Sequence, residues 1–247
     1  MLPAHQSMTD AELLEAYAPP RTTAPFVRFN FVSTLDGAAT HRGVSGALGN
    51  EADQRIFALL RRHADVILVG AGTVRAEGYA GALVDVAAQT WRVGRGLPAH
   101  PAVAVVSGSL GLEPDSPFVA ECPVRPIVLT GPDAPEGRRR RLEEVADVVV
   151  LERGTTAAPI VEELSRRGHR VIHGEGGPHL LGTFVAGDAV DSLCLTVSPL
   201  LAGGTAGRIA AGDDEPDLRR LALHHVLTED DALFLEYRRR DPEASAP

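Results

Sequence analysis

The chain has 247 residues, 44% of them apolar, which is enough to bury a sizeable core in one large or two small domains, and it contains no apolar run long enough to cross a membrane. Its formal net charge of −9 argues against nucleic acid as a partner, and every basic residue is Arg, which excludes any mechanism that needs a catalytic lysine. Two distant cysteines, Cys122 and Cys194, support neither a disulfide framework nor a zinc site and point to a reducing, cytoplasmic compartment.

The first helix is expected from Thr9 or Asp10 to Tyr17, with Glu12 placed for a capping box and Pro19-Pro20 as its stop. The acidic N-terminal stretch does not resemble a secretory leader. Phe26 to Ser33 alternates and reads as a strand, followed by the turn Asp36-Gly37. Asn50 caps a helix running to Arg62, with Ile56, Leu59 and Leu60 on its inner side. Val66–Val69 is a buried strand ending in Gly70-Ala71-Gly72-Thr73, read as a loop. No period is visible from 78 to 100, which reads as a loop excursion. Strands follow at Ala102–Val106, Ile127–Leu129 and Asp147–Leu151, and helices at Glu136–Val145 and Ala157–Arg167. Arg138–Arg141 is the solvated face of the first of these helices. Arg170–His173 is a strand, Gly174–Pro178 a turn into a helix that ends near Ala186, and Asp191–Val197 another strand. Leu221–Leu227 and Ala232–Tyr237 form a hairpin. This alternation implies an α/β fold with a mainly parallel central sheet, helices on both faces and an antiparallel C-terminal edge.

Ligands in such sheets bind beyond the carboxyl ends of the strands. Several strands here end in small or hydroxyl residues: Gly70–Thr73, Ser107-Gly108, Thr130-Gly131 and Gly174–Gly177. Glycines at 174, 176 and 177, followed by Pro178 in the first helical turn, suit a backbone cradle for a pyrophosphate, and they equally suit a tight strand-to-helix turn. Glu175 inside that turn would repel a phosphate, so it bonds a ribose hydroxyl or a substrate amino group, or faces solvent. Thr73 holds a phosphate or caps a helix. Arg75 pairs with a phosphate or lies on the surface. Ser33-Thr34-Leu35-Asp36-Gly37 is a turn by composition; Asp36, if partly buried, would have a raised pKa and could carry a proton. The histidines show no metal-ligand spacing, and no metal is expected.

Five segments, taken in order, resemble a known family: N-F-V-S-T-L-D-G at Asn30–Gly37, V-S-G at Val44–Gly46, L-R-R-H-A-D-V-I-L-V-G-A-G-T-V-R at Leu60–Arg75, G-E-G-G-P-H-L-L at Gly174–Leu181, and D-S-L-C-L-T-V-S-P-L-L-A-G-G at Asp191–Gly204. They are similar to the C-terminal reductase domain of riboflavin biosynthesis, a pyrimidine reductase family with a dihydrofolate-reductase-like three-layer fold. The resemblance implies an oxidoreductase of the 5-amino-6-(5-phosphoribosylamino)uracil reductase type. NADPH would deliver hydride to C1′ of the ring-opened ribosylamino-pyrimidinone 5′-phosphate and yield the ribitylamino form. It places Gly70, Gly72, Thr73, Glu77, Ser107, Gly174, Gly176 and Gly177 on the cofactor. Asn30, Ser33, Ser45 and Arg75 fall on the substrate, and Asp36 and Glu175 at the chemistry. It also implies a cytoplasmic homodimer, with the edge hairpin available for pairing across subunits. The domain would span 25–240, after an extension at 1–24 and before a disordered tail at 241–247.

Two departures bear on substrate. The zinc deaminase motifs H-x-E and P-C-x-x-C of bifunctional members are absent, and Asn30 stands where those members have Lys, as in stand-alone archaeal-type reductases. Ala76-Glu77-Gly78-Tyr79-Ala80 replaces the usual D-D-P-x-L. Dihydrofolate or dihydropterin reduction, and a non-catalytic NADP-binding regulatory role, therefore stand as alternatives.

Overall fold

Strand-helix alternation builds a sheet of nine strands in this computed structural model, which describes residues 7–212 and 217–240; the expected tail at 241–247 lies outside the described residues. In chain order the elements are α1 (Asp10–Ala16), β1 (Phe26–Thr34), α2 (Glu51–His63), β2 (Val66–Gly70), α3 (Ala71–Glu77), α4 (Val86–Val93), β3 (Ala102–Val106), α5 (Pro117–Ala120), β4 (Ile127–Thr130), α6 (Glu136–Glu143), β5 (Asp147–Val150), α7 (Ala157–Arg166), β6 (Val171–Gly174), α8 (Pro178–Ala186), β7 (Ser192–Ser198), β8 (Ala222–Glu229) and β9 (Ala232–Arg238). The strand order is β5-β4-β3-β2-β6-β1-β7-β9-β8. The first seven of these are parallel; β9 and β8 form the antiparallel edge. No helix among the described residues is long and apolar enough to cross a membrane.

Alternating residues of the strands supply the two faces. On one face Val27, Phe29, Leu68 and Ala104 pack with Ile160 and Leu164 of α7 and Leu180 and Phe184 of α8. On the other, Val103, Val105 and Val128 pack with Val74 of α3 and Leu142 of α6. Farther along that face, Leu13, Leu14 and Tyr17 join Ile56, Leu59, Leu60 and Phe234.

Local signals account for most helix ends. Thr9 and Glu12 form both halves of the capping box of α1. The Asn50 side chain accepts the Asp53 N–H at 2.9 Å, and Arg61, Arg62 and His63 close α2 against its negative end. Two helices lie where no period was legible or where a loop was expected. α4 starts at the cap Asp85, whose Oδ1 accepts the Ala88 N–H at 2.6 Å. Its periodicity is hidden because a charged residue, Arg92, occupies its buried side. Arg92 donates to the carbonyls of Pro98, Arg62 and Ala64, satisfying the free C-terminal carbonyls of α2. Gly72 and Thr73 belong to α3 rather than to a loop, since the chain passes from β2 into the helix with only Gly70 as cap.

Beneath the C-terminal edge lies a buried ionic cluster. Glu236 accepts from Arg28 (3.1 Å), from Arg238 through both oxygens (2.8 and 3.0 Å) and from Ser192 (2.6 Å), joining β1, β7 and β9. Burial would raise its pKa, but the Arg238 hydrogen bonds and the Arg28 charge outweigh that and hold it below the usual range. Glu236→Leu strands the buried Arg28 guanidinium and should cost about 3–5 kcal/mol in urea unfolding, whereas Arg28→Met leaves Glu236 paired with Arg238 and should cost less. The double variant should lose less than the sum of the two.

Burial pushes His173 of β6 down to about 4, so it is neutral and its 3.6 Å approach to Glu175 is no ion pair. Burial and the Arg28 charge push His63 down to about 4 as well. Both folded values lie below the ordinary 6.5, so the unfolded chain takes up protons first as the pH falls. Stability is therefore full above about pH 6.5 and is lost toward pH 4, His173 alone contributing about 2 kcal/mol of that loss by pH 5. Thermal melts from pH 7.5 to 5 should show a falling midpoint, and His173→Gln should flatten the slope.

Candidate active site

A concave site of about 430 Å³ opens beside β1 and the carboxyl end of β6 and is walled by α2, α3 and the segment 78–83. Adjacency of β2 and β6 in the sheet brings two glycine turns together. The Gly70 N–H donates to the Gly176 carbonyl at 2.7 Å, and α3 and α8 begin side by side just beyond. Space there is closed to side chains: a Cβ on Gly177 would stand 2.6 Å from the Thr73 hydroxyl, and Gly176 has φ +102°. The N-termini of two helices therefore lie next to each other, a setting that favours an anion. Gly72 sits at that helix start with open space around it.

Glu175 follows directly. Its side chain is wholly buried, and its carboxylate receives the Arg61 guanidinium through two bonds of 2.6 and 2.8 Å and the Tyr79 hydroxyl at 2.7 Å. Burial by itself would raise its pKa; the Arg61 charge and hydrogen bonds outweigh burial and lower it. Glu175 is thus an ionised carboxylate. Arg61 also donates to the Leu83 carbonyl at 2.9 Å and lies over the Phe57 ring, 4.3 Å from its centroid. Burial lifts the Tyr79 phenol well above its ordinary value.

Of the residues singled out from sequence, Asn30, Ser45, Thr73, Glu77, Glu175, Gly176 and Gly177 line this pocket. Ser45 and Glu77 are bonded to each other: the Ser45 N–H and hydroxyl both donate to Glu77 Oε1, at 2.8 and 2.9 Å. Gly70 stands behind the Gly176–Gly177 turn. Gly174 is buried for a packing reason, since a Cβ there would stand 2.3 Å from the Phe29 ring.

Other residues lie outside the pocket lining. Ser33 is buried within β1. Ser107 is buried after β3, its carbonyl accepting from the Thr130 hydroxyl at 2.8 Å. Arg75 is exposed and donates to the Gly111 carbonyl at 2.8 Å, rather than reaching a phosphate position in the pocket. Asp36 does not meet the condition of partial burial on which a raised pKa was expected. It is exposed, and hydrogen bonds from the Thr34 hydroxyl and from the Gly203 (2.7 Å) and Ala202 (3.1 Å) amides bring it down to about 2. It anchors the loop after β7 as a carboxylate and does not hold a proton near neutrality.

Asp53, Phe57, Arg61 and Tyr79 are among the pocket residues that escaped the sequence reading. The first three recur every fourth residue along α2, so one stripe of that helix faces the pocket. That spacing was legible, beside the apolar stripe of Ile56, Leu59 and Leu60. Tyr79 carried no such signal. The β8–β9 pairing also brings His224, His225 and Glu236 within 4.8 Å of one another, away from this pocket. That carboxylate is already held by Arg28 and Arg238.

Comparison with known proteins gives a consistent result. Residues 25–234 match the family model described as the RibD C-terminal domain. A 2,5-diamino-6-ribosylamino-4(3H)-pyrimidinone 5′-phosphate reductase of Methanothermobacter thermautotrophicus is 29% identical over 220 residues, 86% of this chain and 97% of the relative. The crystal structure of a pyrimidine reductase-like protein from Corynebacterium diphtheriae superimposes with a TM-score of 0.81 at 27% identity, covering 93% of this chain and 99% of that one. Dihydrofolate reductase from Enterococcus faecalis, complexed with NADP(H), has the same fold at a TM-score of 0.52 and 12% identity, over 87% of this chain and 97% of its own. The chain belongs to the RibD C-terminal domain family.

Proposed function

We propose that this pocket is the active site of an NADPH-dependent reductase that converts a ribosylamino-pyrimidinone 5′-phosphate to its ribitylamino form in riboflavin biosynthesis. The observation that carries the reading is the convergence, at the ends of β2 and β6, of two glycine-capped helix N-termini beside a pocket lined by Asn30, Ser45, Glu77 and the Arg61–Glu175 pair. The names of its relatives support the substrate class.

The glycine turns fit a dinucleotide, because Gly72 opens onto free space at the start of α3 and Gly176 and Gly177 line the pocket at the start of α8. Thr73 stands between the two turns and offers its hydroxyl. The cofactor, when bound, supplies the hydride. The chain's own residues orient the partners and exclude water. Asn30 and Ser45 face the substrate. Glu175 is a positioning residue: it fixes Arg61 and Tyr79, and does not shuttle a proton. Asp36 acts from outside the pocket, holding the loop at 200–204. The enzyme is read as cytoplasmic, with both cysteines free, and as a homodimer. Among the described residues the outer edge of β8 is unpaired, and Leu223 and Val226 of that strand are exposed.

NADPH oxidation should be seen with the pyrimidinone phosphate and should be slower with NADH. NADPH binding without turnover of that substrate overturns the reading, and turnover of dihydrofolate instead would favour a pterin reductase. Glu175→Gln should lower kcat/KM by about 10–100-fold while leaving NADPH affinity in place, since it weakens a buried charge pair without removing its shape. Unchanged turnover in both Glu175→Ala and Asp36→Ala would remove these residues from the machinery. Sedimentation should give a dimer, and Val226→Asp on the β8 edge should shift it toward monomer.

A further inference from the structure

Three acidic side chains line the pocket, and two are held by donors from the pocket's own walls. Glu77 receives both donors of Ser45, and Glu175 receives Arg61 and Tyr79. The third, Asp53, is different. Its backbone N–H is held by the Asn50 side chain at 2.9 Å, and Oδ1 accepts the hydroxyl of buried Thr196 at 2.6 Å. Among the described residues Asp53 forms no ion pair, and Thr196 is the one side chain that hydrogen-bonds its carboxylate. A carboxylate offers about four acceptor positions, so most of its capacity is unused. Burial accordingly pushes its pKa up, with the Thr196 bond as the one opposing effect.

Its neighbours define what it can meet. Phe57 follows one turn later on the same stripe and Arg61 two turns later, at helical rises of about 6 and about 12 Å. The wall therefore runs from a carboxylate with open acceptor positions, past an aromatic face, to a held cation. A planar ring laid along Phe57 would turn its polar edge to Asp53.

We infer that Asp53 reads the pyrimidinone ring and selects a 2-amino ring over a 2-oxo ring. This rests on the reductase reading above and fixes its substrate as the diamino compound rather than the uracil. The chemistry is one of donors and acceptors. An ionised carboxylate only accepts. A 2-aminopyrimidin-4-one presents an exocyclic N–H beside a ring N–H, two donors for two oxygens. A uracil edge presents a carbonyl beside the ring N–H, and that carbonyl sets lone pairs against the carboxylate. A site built for the donor rejects the analogue lacking it.

The test is Asp53→Asn, nearly isosteric and able to keep the Thr196 bond, with a melting curve as its folding check. A carboxamide both donates and accepts, so it matches the oxo edge. Wild type should favour the diamino substrate over the uracil substrate in kcat/KM on the order of a hundredfold. The variant should erase or invert that ratio while NADPH affinity stays put. A ratio near one in wild type, or one that Asp53→Asn leaves unchanged, overturns the inference. Should wild type reduce neither ring, the reductase reading fails, and calorimetry with 2-aminopyrimidin-4-one and uracil as ring probes decides Asp53 separately. Tighter binding of the amino ring, lost in the variant, upholds its role; equal or no binding of the two rings removes it.

Discussion

A carboxylate sealed from water must be met by a cation and by donors, or it will not stay charged. Glu175 is that carboxylate, and meeting its need organises the site. Arg61 has to enter from α2, which fixes how far that helix leans over the sheet. Tyr79 has to enter from the segment after α3, which brings residues 78–83 across as the opposite wall. Because Arg61 also holds the Leu83 carbonyl, the two walls are bonded to each other as well as to the turn between them. α2 is secured a second time at its C-terminus, where Arg92 reaches in from α4. A pocket bounded this way has a shape set by charge neutralisation more than by apolar packing.

Glycine serves that arrangement for several unlike reasons. At 174 it makes room for the Phe29 ring across the β1–β6 pairing, which keeps the two strands in register below the site. Position 177 leaves space for the Thr73 hydroxyl, and position 176 takes a backbone angle that side chains disfavour. One short motif thus carries a packing requirement, a close approach and a turn.

Strand content and the parallel sheet with its antiparallel edge were legible because the strands are short Val- and Ile-rich runs punctuated by Gly. Helix α4 was not, since its buried side carries Arg92, and a buried arginine looks like a solvated residue to any apolar pattern. The same blindness hid Arg61, which sits in a run of basic residues that reads as a helix end facing water. Asp36 erred in the opposite direction. Its motif is distinctive, but an Asp-Gly turn says nothing about burial, and burial is what decides a carboxylate's pKa. Asp53 was visible only as a helix-start acid; its pocket role depends on Thr196, which approaches from a strand far along the chain.

The sheet order carries a consequence for how the chain is made. β1 leaves the ribosome before β2 to β5, yet its two partners are β6 and β7, encoded after all of them. Until Val171 and then Ser192 have been synthesised, Phe26–Phe31 has no strand to pair with on either edge. This apolar ribbon must be shielded in the meantime, and the intervening units β2 to β5 can assemble among themselves without it. Closure of the sheet around β1 is a late, long-range event, so the active site, which straddles that strand, is among the last parts of the molecule to exist.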